Sequence, residues 1–240
     1  MRFKVINLNR TPQRLIKFKQ QNPRFIFDRF SAIDGSRINR AELVEHNLFT
    51  EKTANRYTNG AIGVALSHRA LWQECVSTNE SYTILEDDAY LIPDFNQVVS
   101  KYTANNSNWD FLFWGANLDQ RIVAEFCPGI ATAELKFNHD QVWQNIANIT
   151  KQSLQPHMFR VHWAVGLMCY SVTPKSAQYL LNSIFPIKDY FDFRDNHGID
   201  NSIIEELPNM QSYMSFPPIA LTLNDRYNST VQENNPSINN

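Results

Sequence analysis

The chain has 240 residues, of which 43 % are hydrophobic and 19 % charged, with 16 Phe, 9 Tyr and 5 Trp; it has the apolar mass for a sizeable core and is not a disordered or low-complexity chain. Its 22 basic and 24 acidic residues give a formal net charge of -2, which leaves no cationic surplus to displace phosphate counterions and excludes nucleic acid as an expected partner. Three scattered cysteines, Cys75, Cys127 and Cys169, are too few for a disulfide framework or a zinc site and point to a reducing compartment.

Met1 to Ile6 runs straight into strand-like sequence rather than the apolar core of a signal peptide, so a cytoplasmic location is expected. The longest apolar stretch, Val161 to Pro174, carries His162 and falls short of the roughly 20 residues needed to cross a bilayer. Any membrane contact is therefore expected to be peripheral, at the inner face of the cytoplasmic membrane.

In chain order, Phe3 to Leu8 is a β-rich apolar run, and Thr11-Pro12 supplies the cap and first-turn proline of a basic helix ending near Gln20. Phe25 to Ile33 reads as a second strand closed by the turn pair Asp34-Gly35. A helix is expected from Gly60 to Val76, with Ile62, Leu66, Trp72 and Val76 near helical spacing. Tyr82 to Leu85 is a short buried strand that stops at Glu86-Asp87-Asp88, and Pro93 opens another helix. Trp109 to Gly115 is an aromatic strand, whereas Asn117 to Pro156 shows no clear period and is expected to hold insertions and substrate loops. His162 to Val172 reads as one buried strand, and Thr173-Pro174 starts a helix with Ala177, Leu180, Leu181 and Ile184 on its inner face. The Asn- and Ser-rich tail from Asn228 to Asn240 is expected to fray. This alternation of strands and helices predicts an α/β fold with a mostly parallel sheet, and no composition break divides residues 1–240 into more than one domain.

Three consecutive carboxylates after an apolar strand repel one another unless a cation or several donors offset the repulsion. At a strand end Glu86 and Asp88 point the same way and Asp87 the other, toward neighbouring backbone or a ribose. Open α/β sheets bind ligands beyond the carboxyl ends of their strands, and oxygen ligands suit a hard divalent ion, Mn or Mg, that keeps positions for phosphate oxygens. A solvated acidic turn is the alternative reading of the same triplet. Arg10 and Arg14 flank a helix N-terminus, where they either hold a diphosphate or serve as surface charges beside Lys17 and Lys19. Gly60-Ala-Ile-Gly63 followed by Ser67-His68 combines close backbone approach with a polar pair, and a histidine so placed is usually buried and hydrogen-bonded.

The order of these segments carries more than any one of them. Ile6-Asn7-Leu8-Asn9-Arg10 with Arg14, Ala32-Ile33-Asp34-Gly35, Gly60 to His68 with Trp72, and Ile84 to Asp88 together resemble glycosyltransferase family 25, the bacterial lipooligosaccharide and procollagen galactosyltransferases. The likeness runs from Met1 to about Gly115 and returns at Gly166 to Leu181, with Gly166, Tyr170, Ala177, Leu180 and Leu181 matching and Leu167, Cys169 and Thr173 departing from the family run. Ala61 and Val64 also depart, Gly198-Ile199-Asp200 is similar to a Pro-Val-Asp element, and Pro218 to Ser229 resembles the closing segment. The resemblance implies a GT-A type, Rossmann-like fold, a UDP-galactose or UDP-glucose donor, a divalent metal, inversion at the anomeric carbon, and an oligosaccharide or glycolipid acceptor in lipooligosaccharide or lipopolysaccharide biosynthesis. It places Asn7, Leu8, Arg10, Arg14, Asp34, Gly35, Gly63, Ser67 and Asp87 at the donor and Glu86 and Asp88 on the metal.

An inverting transfer needs a base within reach of the attacking hydroxyl. Asp200 is the first candidate, against an equal reading as a helix N-cap before Asn201; His68, Asp195 and Asp225 are the alternatives. Two other functions compete: a metal-dependent phosphohydrolase or nucleotidyltransferase, and a non-catalytic glycan-binding module using the Trp and Tyr rings.

Overall fold

The computed structural model describes residues 1–188 and 198–224. Asp195, Asp225 and the tail from Asn228 lie outside the described residues. The strands are β1 (Arg2–Asn7), β2 (Asp28–Ser31), β3 (Tyr82–Glu86), β4 (Tyr90–Leu91), β5 (Phe111–Gly115), β6 (Ile122–Cys127), β7 (Ala131–Leu135), β8 (His157–Trp163), β9 (Cys169–Val172), β10 (Ser212–Phe216) and β11 (Ala220–Leu221). The helices are α1 (Pro12–Gln21), α2 (Arg40–Glu45), α3 (Glu51–Arg56), α4 (Asn59–Thr78), α5 (Phe95–Asn105), α6 (His139–Ile149), α7 (Pro174–Ile184) and α8 (Ile199–Glu206).

Nine strands form one sheet in the order β2-β1-β3-β9-β5-β10-β8-β6-β7, and β11 pairs with β4. The fold is α/β and Rossmann-like, with a mixed sheet. β1 runs parallel to β2 and β3, and β10 to β5, while β9 inserts antiparallel between β3 and β5 and the β8-β6-β7 edge is antiparallel. The three parallel strands β2, β1 and β3 thus release their carboxyl ends on one edge, where the site forms.

Strand alternation divides the core into two layers. Phe111 and Phe113 of β5 and Ile84 of β3 face the layer holding Ile62, Leu71 and Trp72 of α4 with Ala177 and Leu180 of α7. Leu112, Trp114 and Leu85 face the opposite layer, with Phe18 of α1 and Phe95 and Val99 of α5. Helix starts follow their local chemistry: Thr58 accepts from Ala61 N at the start of α4, and Thr173 with Ser176 makes a capping box ahead of Pro174 in α7. Among the described residues no helix is long and apolar enough to cross a membrane.

Four segments differ from the expectation. The second strand contracts to β2 because Phe25 and Phe27 turn inward onto Phe18. The helix near Pro93 starts only at Phe95, after a turn. The polar stretch 117–156 contains the β6–β7 hairpin and α6, whose buried Val142 and Ile146 lie four residues apart on one face. The apolar run from His162 to Val172 holds the end of β8 and all of β9, broken where Gly166 adopts φ +93°, a left-handed conformation no strand can continue.

Candidate active site

A crevice open to solvent lies across the ends of β1, β2 and β3. Its wall includes Asn7, Leu8, Arg10 and Arg14 from β1 and the start of α1, Asp34 and Gly35 after β2, Gly63 and Ser67 from α4, and Glu86, Asp87 and Asp88 after β3. The structure therefore brings together all the residues expected at donor and metal, from four separate chain segments. Backbone contact holds these segments in place. A Cβ on Gly35 would stand 1.9 Å from the carbonyl oxygen of Asn59, and one on Gly63 would stand 2.5 Å from that of Ile33, so only glycine admits the loop after β2 against the first turns of α4. Ser67 completes the join, accepting from Ile33 N at 2.9 Å and donating to Gly63 O at 2.6 Å, so its hydroxyl secures the wall rather than pointing into the crevice.

Asp34 is a fixed anion at the mouth. It accepts from the Ser36 hydroxyl at 2.7 Å and from Ser36 N at 3.1 Å, and pairs with Arg10 Nε at 3.4 Å. The Ser36 hydroxyl holds the Asp34 carboxyl below the usual range against the opposing effect of burial, and the Ser36 N–H, Arg10 and Arg37 add to the lowering.

On the floor, Asp87, expected toward neighbouring backbone or a ribose, bonds side chains instead of backbone and still lines the crevice. It is buried and takes Asn7 Nδ2 at 2.6 Å on one oxygen and Arg14 Nε at 2.7 Å and Nη2 at 2.6 Å on the other. Arg14 is thus committed to Asp87 and reaches Asp88 only at 3.7 Å. Asn7 is itself oriented by Arg29, which donates to its side-chain oxygen at 3.0 Å and its carbonyl at 3.2 Å. No local sequence signal marks Arg29, because its partner lies on the adjacent strand.

Asp88 lacks such partners. Its Oδ1 is covered and without a hydrogen bond, and burial, then the charge of Glu86, raise its pKa to about 7 despite Arg14. Among the described residues no group of three or more His, Cys, Asp or Glu side chains converges as a metal cage. Two carboxylates, one with an orphaned oxygen, instead fit a hard divalent ion that completes its shell with water and phosphate oxygens.

Asp200 and His68 stand outside the crevice wall. Asp200 is not the N-cap: Gly198 holds that position, and Asp200 sits within the first turn of α8. Its Oδ2 accepts from Gly166 N at 3.1 Å and its Oδ1 from Asn201 N at 3.1 Å. Burial raises its pKa, the Gly166 N–H opposes this, and the charge of Glu86 adds to the rise, which puts Asp200 within the electrostatic reach of the crevice floor. Gly166 had a signal in its family-like segment, although its bond to Asp200 had none. His68 is fully buried behind Glu86, with Nδ1 2.8 Å from the Tyr170 hydroxyl and Nε2 3.9 Å from Glu86 Oε1.

Fold and site together define a Rossmann-like α/β protein with an anion-lined crevice at the carboxyl ends of parallel strands, the place where such sheets bind nucleotide-type ligands. Residues 1–196 match the family described as Glycosyltransferase family 25 (LPS biosynthesis protein), and the chain belongs to that family of glycosyltransferases. It is 28 % identical over 128 residues to the "Procollagen lysyl hydroxylase and glycosyltransferase" of Acanthamoeba polyphaga mimivirus; the match covers 45 % of this chain and only 14 % of that relative. Among solved structures it is similar to A197 from STIV, with a TM-score of 0.38, 13 % identity, and coverage of 89 % of this chain and 81 % of that one.

Proposed function

We propose that the protein transfers a hexose, galactose ahead of glucose, from its UDP conjugate to an oligosaccharide or glycolipid acceptor of lipooligosaccharide or lipopolysaccharide biosynthesis, with inversion and with a divalent Mn or Mg ion. The observation that carries this reading is the Asp88 Oδ1 beside Glu86 on the crevice floor, a covered carboxylate oxygen with no hydrogen-bond donor at the place where a nucleotide sugar's diphosphate would lie.

When bound by Glu86 and Asp88, the ion supplies Lewis-acid stabilisation of the charge that develops on the departing diphosphate. The chain's own residues do the remainder. Asn7 and Arg14 are locked to Asp87 and so fix the floor, and Arg10 contributes a cation at the mouth beside Asp34. Asp200, with its pKa raised, is suited to take the proton of the acceptor hydroxyl as that oxygen bonds to the anomeric carbon and the bond to the diphosphate breaks. Its bond from Gly166 N sets the direction of the carboxyl, and Gly166 can serve there because only glycine holds φ +93° readily.

Calorimetric titration with UDP in the presence and absence of Mn tests the reading. Binding that depends on Mn is expected. Rapid phosphate release from nucleotides would point instead to a phosphohydrolase, and saccharide binding without any nucleotide affinity to a glycan-binding module.

A further inference from the structure

Three fully buried polar side chains sit behind the crevice and form a chain. Trp72 Nε1 lies 2.9 Å from the Tyr170 hydroxyl, the same hydroxyl lies 2.8 Å from His68 Nδ1, and His68 Nε2 lies 3.9 Å from Glu86 Oε1. The elements that bear them are fixed. His68 and Trp72 stand one turn apart on α4, and Tyr170 sits on β9 opposite Ile84 of β3 with its ring stacked on Phe111 at 4.6 Å and 7°.

The proton pattern follows from the donors available. An indole N–H only donates, so Tyr170 Oη is the acceptor from Trp72. The hydroxyl hydrogen then has His68 Nδ1 as its partner. A ring nitrogen that accepts leaves the proton of a neutral imidazole on the other nitrogen. His68 Nε2–H is consequently aimed at Glu86, and Nε2 is buried with no hydrogen-bond partner at the present separation. A buried donor facing a carboxylate oxygen just beyond bonding distance holds that carboxylate in a preferred direction, because a small approach satisfies both groups.

We propose that His68 is a positioning residue: Trp72 and Tyr170 fix it in the Nε2–H tautomer, and its N–H steers Glu86 so that the carboxylate presents its other oxygen to the crevice. This replaces the earlier expectation of His68 as a base, and its effect on ligand binding rests on the proposed role of Glu86. The arrangement resembles the way metal-bound carboxylates are generally oriented by hydrogen bonds from groups behind them.

The tautomer is read by ¹⁵N–¹H correlation of the histidine rings in the 240-residue chain without ligand. A single neutral form protonated on Nε2 is expected, with a signal that moves in Glu86→Gln and splits between tautomers in Tyr170→Phe. A proton on Nδ1 in the wild type, or an Nε2–H signal indifferent to Glu86→Gln, overturns the proposal. Affinity for UDP with Mn supplies the second measurement. His68→Gln, whose amide N–H falls near the lost Nε2–H, should stay within about threefold of wild type, whereas His68→Asn, which reaches only the Nδ1 position, should lose roughly 10-fold or more. Equal losses in the two variants, with both folded by circular dichroism, would remove the steering role. A wild-type chain that binds no UDP sinks the functional reading alone, because the ring spectra still decide the tautomer and its coupling to Glu86.

Discussion

Replacing Asp88 by Asn should stabilise the ligand-free protein while abolishing its transfer activity. The Asp88 carboxyl goes from 3.8 to about 7 on folding, driven by burial and the neighbouring Glu86 charge. At about 1.4 kcal/mol for each unit between the two values, the unscreened ceiling is roughly 4 kcal/mol. The side chain is 38 % exposed at the open crevice even though Oδ1 is covered, so solvent screening lowers the expected gain to about 1–2 kcal/mol. Between the two pKa values the folded state binds more protons than the unfolded state, so this part of the stability is present at low pH and lost as pH rises through about 7. With metal chelated, Asp88→Asn should therefore melt a few degrees above wild type near pH 8, about 2–4 °C for each kcal/mol in a chain of this size, and the gap should close toward pH 4. Adding Mn and UDP should reverse the order, since ligand that binds only the folded wild type raises its stability. A variant no more stable than wild type near pH 8, or a gap that does not change with pH, would refute this account of the crevice floor.

The two arginines should separate. Arg14→Ala strands the buried Asp87 carboxylate and is expected to cost about 2–4 kcal/mol in chemical denaturation, whereas Arg10→Ala, at a 40 % exposed side chain, should leave stability nearly unchanged and weaken UDP binding in calorimetry. Gly63→Ala places a Cβ 2.5 Å from the Ile33 carbonyl oxygen, so the loop after β2 must move; a loss of roughly 1–3 kcal/mol with weakened UDP binding is expected, and a neutral outcome would mean that the loop yields freely. Asp200→Asn keeps an oxygen for the Gly166 N–H but loses the base, so turnover should fall by about a hundredfold or more with UDP affinity intact. Parallel loss of affinity and stability would instead make Asp200 a support for the Gly166 turn.

The crevice wall was legible because its segments follow strand ends or lie in the first turns of a helix, and those are the places where local sequence speaks. Val5 and Ile6 end in Asn7, and Ile84 and Leu85 end in Glu86, so apolar runs bounded by polar residues located the strand ends directly. What stayed hidden depended on partners far apart in the chain. Arg14 and Asp87 are 73 residues apart, and Asp200 meets Gly166 across 34, so neither bond leaves a local pattern. The break at Gly166 was concealed for another reason: Val161, Ala164, Leu167 and Met168 are all buried, so hydrophobicity continues through a turn that the backbone does not. The β6–β7 hairpin was obscured by exposure, since β7 lies at the sheet edge with none of its residues fully buried, and a strand with little to bury shows little alternation.

The floor of the crevice concentrates acidic charge. Glu86, Asp87 and Asp88 crowd one strand end, and the field of Glu86 extends to Asp200. Arg14 neutralises Asp87 and stands 3.7 Å from Asp88, while Arg10 is paired with Asp34 at the mouth. Glu86 and Asp88 thus keep an excess of negative charge toward the crevice. A diphosphate entering alone meets carboxylates of its own sign. A cation held by Glu86 and Asp88 would offset that repulsion, so on the proposed reading nucleotide binding depends on the ion. The buried Trp72–Tyr170–His68 chain fits the same electrostatics, for it directs a donor at Glu86 from behind without adding a fixed positive charge that would compete with the ion.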